Sequence, residues 1–323
     1  MLQFKTANQA LQTLADLKQC RIKIADIDIP KRKLGNTGLE VGIFSLGGQG
    51  ALEHQRDKEE MAEIITRAYE LGVNYFDTSP IYGPSEDYYG HAIPSFRNDI
   101  ILATKSDKRD GDGALKDIEK SLERLKTDWI DVWQIHHVDN MEEVEQIFGP
   151  GGALEAFKQM KDEGVVKNIG ITGHEDPEVL VEMLNRFPFD TVLCVANAAD
   201  VNVDPSFEST LYPVANEMNV GIIGMKVFAQ GYIFHPDGIK TTWEPLYYAM
   251  SQPISTVIVG CDSVAQLEEN VALAKGFYKL SPEQLEEIQN QTKSYTKRGA
   301  FFRSEFGGYS SQEKLKKLVV FEK

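Results

Sequence analysis

Four side chains of different type stand just after short apolar runs and could together move a proton. The runs read Asn74-Tyr75-Phe76-Asp77, continuing Thr78-Ser79-Pro80-Ile81-Tyr82-Gly83; then Ala103-Thr104-Lys105; then Gln134-Ile135-His136-His137. A phenol releases its proton only near pH 10, so it must be brought lower to act near neutrality. An ammonium beside Tyr82 would do this by Coulomb attraction in a partly dry pocket, and a carboxylate would hold that ammonium charged and aimed. With Lys105 and Asp77 in those roles, Tyr82 becomes a general acid for a carbonyl being reduced, and a base on an alcohol in reverse. His136 would hydrogen-bond the same oxygen. Taken singly, each has a plainer reading: Asp77 as a turn or helix-entry residue, Tyr82 as a half-buried aromatic, Lys105 as a solvated strand end, His136 as a core histidine. Their position at three successive strand ends favours the chemical one. His137 points away from His136 on an extended chain and is read as a packing or pocket-shaping residue.

These residues converge only if the elements carrying them share one mouth. Eight apolar runs are of strand length: Ile43 to Leu46, Val73 to Phe76, Ile100 to Ala103, Trp129 to Ile135, Val166 to Ile171, Thr191 to Val195, Val220 to Met225 and Thr256 to Val259. Amphipathic segments separate them: Lys58 to Glu70, a short Tyr88 to Ile93, Ala114 to Leu125, Ala153 to Glu163, Glu178 to Asn185, Ser206 to Asn219 and Trp243 to Ser251, with another from Ser263. Repeated strand and helix pairs imply parallel strands joined by crossovers. Eight units suit a closed (β/α)8 TIM barrel, an α/β fold, better than an open doubly wound sheet, and Gly47-Gly48-Gln49-Gly50 does not fit the dinucleotide spacing of such a sheet. A hairpin turns at Gly35-Asn36-Thr37-Gly38, between Arg32-Lys33-Leu34 and Leu39-Glu40-Val41. Residues 1–30 read as a helical extension, with apolar spacing from Ala7 to Leu17, and residues 31–323 as one barrel domain including the tail. Ser281-Pro282-Glu283-Gln284 opens a capped helix in that tail.

The chain has 323 residues, 42% of them hydrophobic, and a formal net charge of -15. That field repels polyanions, so neither nucleic acid nor membrane is an expected partner. Cys20, Cys194 and Cys261 are too far apart for a zinc knuckle or a C-x-x-C pair, and no metal site is expected. No secretory signal or bilayer-length apolar stretch is evident, which suits a cytoplasmic protein.

The string from Asn74 to Gly83, then Ala103-Thr104-Lys105, then Trp129-Ile130-Asp131-Val132-Trp133-Gln134-Ile135-His136, resembles the aldo-keto reductase superfamily. So do Lys33-Leu34-Gly35-x-Thr37-Gly38-Leu39-x-Val41, Gly164 to Ile171, Ile258-Val259-Gly260, and Gln266-Leu267-Glu268-Glu269-Asn270. The resemblance runs in family order from about residue 30 to 275. It implies a barrel binding a nicotinamide coenzyme across its mouth and reducing aldehydes, ketones or sugars, with Asp77, Tyr82, Lys105 and His136 as the catalytic tetrad.

The coenzyme positions match less closely. Gly48 follows the first strand. Thr172 and Gly173 stand where Ser-Asn is common, and Leu193 where a glutamine is. Met225 takes the place of a ring-stacking aromatic, and Lys226 could meet the pyrophosphate or form a rim salt bridge. Gly260, Asp262, Ser263, Gln266, Glu269 and Asn270 fall at the adenosine end. The family usually takes NADP(H), but Asp262 and the thin cationic clamp make NAD(H) an alternative. The expected partner is a small carbonyl or sugar substrate; the sequence does not set the oligomeric state. A coenzyme-sensing regulatory protein and a redox-neutral lyase that retains coenzyme are the competing functions. Arg298-Gly299-Ala300-Phe301-Phe302-Arg303 could close over a substrate or pack on the barrel.

Overall fold

The computed structural model describes residues 27–308. The helix expected between Ala7 and Leu17 lies outside them. A two-stranded antiparallel hairpin, β1 (Lys31–Lys33) and β2 (Glu40–Gly42), precedes the closed barrel. The barrel strands are β3 (Phe44–Gly47), β4 (Tyr75–Asp77), β5 (Ile101–Ser106), β6 (Ile130–Ile135), β7 (Val166–Thr172), β8 (Thr191–Val195), β9 (Gly221–Met225) and β10 (Thr256–Val259). All pair in parallel, in chain order, with β10 closing on β3. This is the eight-stranded barrel with its leading hairpin that the alternation of runs predicts.

Helices cover the outside: α1 (Lys58–Glu70), α2 (Ser85–Ala92), α3 (Gly111–Leu125), α4 (Met141–Phe148), α5 (Ala153–Asp162), α6 (Pro177–Arg186), α7 (Phe207–Glu217), α8 (Trp243–Ser251), α9 (Val264–Lys275) and α10 (Pro282–Thr292). Side chains that satisfy backbone donors start many of them. Asp57, Asp110, Asn140, Asp176, Ser206 and Ser263 each accept from a first-turn N–H, and Ser281 with Gln284 forms the full capping box. Several elements differ from the sequence expectation, α3 among them, which begins at Gly111 rather than Ala114. The short helix at Tyr88 begins earlier, at Ser85, and buries Ser85 and Glu86. Helix α4 was not expected, because only Val144 and Ile147 of it are buried among several glutamates.

Alternation along the strands makes two cores. Outward residues such as Phe44, Phe76, Trp133 and Ile135 pack under the helices, and Trp133 stacks on Phe157 of α5 with ring centres 3.6 Å apart. Inward residues Tyr75, Ile101, Ala103, Val132, Leu193 and Ile223 fill the barrel, together with Leu34 and Val41 of the hairpin region. Two residues on from Tyr75, Ala103 and Gln134, the same inward faces present Asp77, Lys105 and His136. The apolar layers therefore end where the polar layer begins, at the carboxyl ends of the strands.

After α10 the tail packs on the barrel. Phe301 and Phe302 are fully buried, and Arg303 pairs with Asp200 at 3.7 Å. Arg298 donates to the Tyr232 carbonyl at 3.2 Å.

Candidate active site

The barrel mouth holds a cleft of about 630 Å³. Of the residues singled out in the sequence, Gly48, Asp77, Tyr82, Met225, Lys226, Gly260, Asp262, Gln266, Glu269 and Asn270 line it. Lys105 and His136 are not among its lining residues and are 0% and 5% exposed. Thr172, Gly173 and Ser263 do not line it.

Lys105 is held on two sides. Its Nζ contacts Asp77 Oδ1 and donates to the Thr78 carbonyl at 2.7 Å. The other Asp77 oxygen accepts from Gln134 Nε2 at 3.0 Å. Burial pushes the Asp77 carboxyl up and the Lys105 ammonium down, while the attraction between them opposes both shifts. The Thr78 carbonyl and the Gln134 amide supply the further partners that a charged pair needs in a dry place. Lys105 Nζ stands 4.8 Å from the centre of the Tyr82 ring. The lysine thus lies over the face of the phenol ring.

Tyr82 and His136 meet edge to face, and the Tyr82 hydroxyl is 3.4 Å from His136 Nε2. Behind the imidazole, Ser79 Oγ lies 3.3 Å from Nδ1 and also accepts from the Ile81 N–H at 3.4 Å. Burial first, and the Lys105 charge next, hold the His136 imidazole well below its ordinary range, so the ring is neutral. Ser79 and Gln134 were not singled out from the sequence. The signal for Gln134 is its place two residues before His136 on one face of β6. Ser79 gives no such signal, since its contact depends on the turn that brings Tyr82 back over the barrel.

A nicotinamide coenzyme fits parts of this mouth and misses one expected contact. A Cβ on Gly260 would stand 2.5 Å from the Gln49 carbonyl, so the cleft wall there is bare backbone. Lys226, at φ +59°, donates to Gln49 Oε1 at 3.4 Å and is the one lysine or arginine among the described residues lining the cleft. Thr172 Oγ1 is buried without a hydrogen-bond partner, in register beside Leu193, which lines the cleft. That hydroxyl is the first of the two expected amide contacts, and it is not part of the cleft lining. Gly173 cannot give the second contact, because a Cβ there would lie 2.8 Å from the Val138 carbonyl and 2.9 Å from Leu180.

At the far end, Ser263 is a helix cap whose Oγ accepts from the Gln266 N–H at 3.3 Å. The Gln266 side chain accepts from the Asp262 N–H at 2.8 Å. Those two backbone donors are already taken. Glu269 accepts from Thr242 Oγ1 at 3.1 Å, and Asn270 contacts the Cys261 sulfur at 3.6 Å.

His137 is not simply a packing residue. Its Nδ1 contacts Asp139 Oδ2, and its ring lies 4.8 Å from that of His174. Among the described residues no helix is long and apolar enough to cross a membrane.

Comparison with known proteins agrees with the barrel. The model of the aldo/keto reductase family matches residues 39–245. L-galactose dehydrogenase of Arabidopsis thaliana is 30% identical over 295 residues, covering 79% of this chain and 91% of the relative. The uncharacterized oxidoreductase YqkF of Bacillus subtilis (strain 168) is 29% identical over 315 residues, covering 81% and 96%. Among solved structures, the holo form of aldo-keto reductase AKR11C1 from Bacillus halodurans matches with a TM-score of 0.69 at 25% identity, covering 81% of this chain and 96% of that one. With the family model spanning more than half of the chain and the polar layer at the expected strand ends, the protein belongs to the aldo/keto reductase family and is a nicotinamide-dependent oxidoreductase.

Proposed function

We propose that this chain interconverts aldehydes or ketones, sugars among them, with the corresponding alcohols, and that Tyr82 is the group that gives and takes the proton. The observation that carries this reading is the Tyr82 hydroxyl at the cleft, 3.4 Å from His136 Nε2, with Lys105 Nζ 4.8 Å from its ring centre. When bound, the reduced nicotinamide supplies the hydride. Tyr82 donates its proton to the carbonyl oxygen, and the buried Lys105 ammonium stabilises the negative charge left on the phenol. Asp77 keeps Lys105 ionised and directed. In this reading the Ser79 hydroxyl, 3.3 Å from His136 Nδ1, donates to it, so that the ring proton stands on Nε2 to hydrogen-bond the same oxygen. In the direction of alcohol oxidation, the phenolate takes the hydroxyl proton back.

The residues at the adenosine end support NAD(H) over the NADP(H) usual in the family. Asp262 lines that end, and the Asp262 and Gln266 N–H groups there are already paired within the chain. A carboxylate suits a free ribose hydroxyl and repels a phosphate.

Calorimetry with NADH and NADPH, paired with turnover of Tyr82→Phe on an aldehyde and sugar panel, tests the proposal. Tighter binding of NADH, and a fall of about two to four orders of magnitude in turnover with coenzyme affinity kept, are expected. Wild-type rates in Tyr82→Phe would overturn the proton-transfer role. Stoichiometric coenzyme capture without turnover would point to a regulatory protein instead. Product formed with no net change in coenzyme absorbance would point to a lyase.

A further inference from the structure

Beside the proton-transfer group, at the ends of two neighbouring strands, lies a second polar cluster. His137 and Asp139 follow β6, and His174 follows β7. The strands pair in register, and the Val138 N–H donates to the Thr172 carbonyl at 2.8 Å, which ties the two loops together. The candidate ligand atoms of the three side chains all lie within 4.8 Å of one another. His137 Nδ1 contacts Asp139 Oδ2, and His174 Nδ1 is 3.6 Å from Asp139 Oδ1.

The surroundings hold this cluster in place and leave it one negative charge. Glu143 accepts from the Asp139 N–H at 2.9 Å and pairs with Arg109 at 3.1 Å. Arg109 also donates to the carbonyls of His136 and His137, at 2.7 and 2.6 Å. Once Arg109 and Glu143 balance, the Asp139 carboxylate is left between two imidazoles. His174 is buried, Asp139 nearly so, and the His137 side chain is 32% exposed, so the cluster is closed on the protein side and open on the other.

We propose that His137, Asp139 and His174 form a binding site for one divalent transition-metal ion, Zn²⁺ by preference, with at least one coordination position left open. Two imidazole nitrogens and one carboxylate oxygen are the donor set of open zinc sites. Calcium or magnesium would require more oxygen ligands than the cluster offers. Around a tetrahedral zinc, ligand atoms stand roughly 3.3 Å apart, so the widest pair must close by somewhat more than about 1 Å. A turn of the partly exposed His137 ring about its side-chain bonds is the movement that would close this gap. The Arg109 and Glu143 contacts supply the outer support that keeps such ligands oriented. The His136 and His137 ring centres are 5.3 Å apart, so an ion here borders the reacting centre.

The test is a calorimetric titration of the full chain with Zn²⁺ after chelator treatment, repeated in Cys20→Ser to remove a thiol that lies outside the described residues, with visible absorption of the Co²⁺ form as a coordination signature. One Zn²⁺ per chain is expected in both proteins. His137→Ala and His174→Ala should each weaken binding by at least the order of 10–100-fold that loss of an outer-shell partner costs. His137→Ala alters a partly exposed side chain and serves as the deciding variant should His174→Ala fail to fold, as judged by its melt in chelator. Tyr82→Phe should bind Zn²⁺ as wild type does, whatever its turnover, which separates failure of this proposal from failure of the proton-transfer one. Absence of stoichiometric Zn²⁺ binding to the folded protein, or unweakened binding in His137→Ala, would overturn it.

Discussion

Gln134 donates its side-chain amide to Oδ2 of Asp77 at 3.0 Å, while Oδ1 of the same carboxylate receives Lys105. Asp77 is thereby fixed on both oxygens, and the lysine it directs is fixed with it. Gln134→Leu removes one buried donor to a charged acceptor, which should cost on the order of 1.5–3 kcal/mol of stability. With Asp77 freer to turn, turnover should drop by roughly tenfold or more while coenzyme affinity is kept. Denaturant unfolding and steady-state kinetics on the variant measure the two effects separately. An unchanged turnover number would show that Asp77 needs no second anchor.

Ser79 touches the far side of the His136 ring from Tyr82. If its hydroxyl sets the tautomer, Ser79→Ala lets the ring proton divide between the two nitrogens. Turnover should then fall by about tenfold, with a smaller change in KM. Nitrogen NMR of labelled histidine should show the Nδ1-protonated form growing in. A spectrum like that of the wild type would leave Ser79 a packing residue.

Restoring the family's common residue at Gly173 should fail. In Gly173→Asn the new Cβ meets the Val138 carbonyl at 2.8 Å, and that atom belongs to backbone tied to Thr172. Overpacking of this kind costs about 1–3 kcal/mol, and the expected outcome is a lower melting temperature without tighter coenzyme binding. A gain in coenzyme affinity at unchanged stability would mean that the β7 loop yields.

Asp200 gives a pH signature away from the cleft. Burial pushes its carboxyl up to about 6 against an ordinary 3.8, opposed by Arg303 and by the Phe207 N–H, and assisted by Glu208 and Glu305. Below about pH 4 the group is protonated in folded and unfolded chains alike. Between about 4 and 6 the folded chain keeps a proton that the unfolded chain has released, so stability falls as pH rises through this window and stays lower above it, by on the order of 3 kcal/mol. Asp200→Asn lacks that proton. Its stability relative to wild type should therefore rise by this order from pH 4 to pH 7 in denaturant titrations. A difference that stays level with pH would contradict the buried, proton-retaining carboxyl.

The barrel was legible because its signal is local. Eight apolar runs of strand length, each followed by an amphipathic segment, leave few topologies, and parallel pairing in chain order follows from the crossovers. The inward placing of Asp77, Lys105 and His136 was legible for a related reason. Asp77 lies two residues beyond Tyr75, Lys105 two beyond Ala103, and His136 two beyond Gln134, so strand alternation alone turns them to the same interior. Helix α4 escaped because two buried residues are too few to show a helical period.

The sequence determined by itself the closed barrel, the inward direction of Asp77, Lys105 and His136, and the place of Tyr82 beyond a strand end, because strand period and chain order fix these without distant contacts. The tertiary structure decided the rest. Gln134 on Asp77, Ser79 on His136, Ser263 kept as a cap, Gly173 closed against Val138, and the meeting of His137, Asp139 and His174 all depend on how loops from different strands approach one another. Those approaches are set by packing at the barrel mouth, where no periodic pattern in the chain records which side chains will touch.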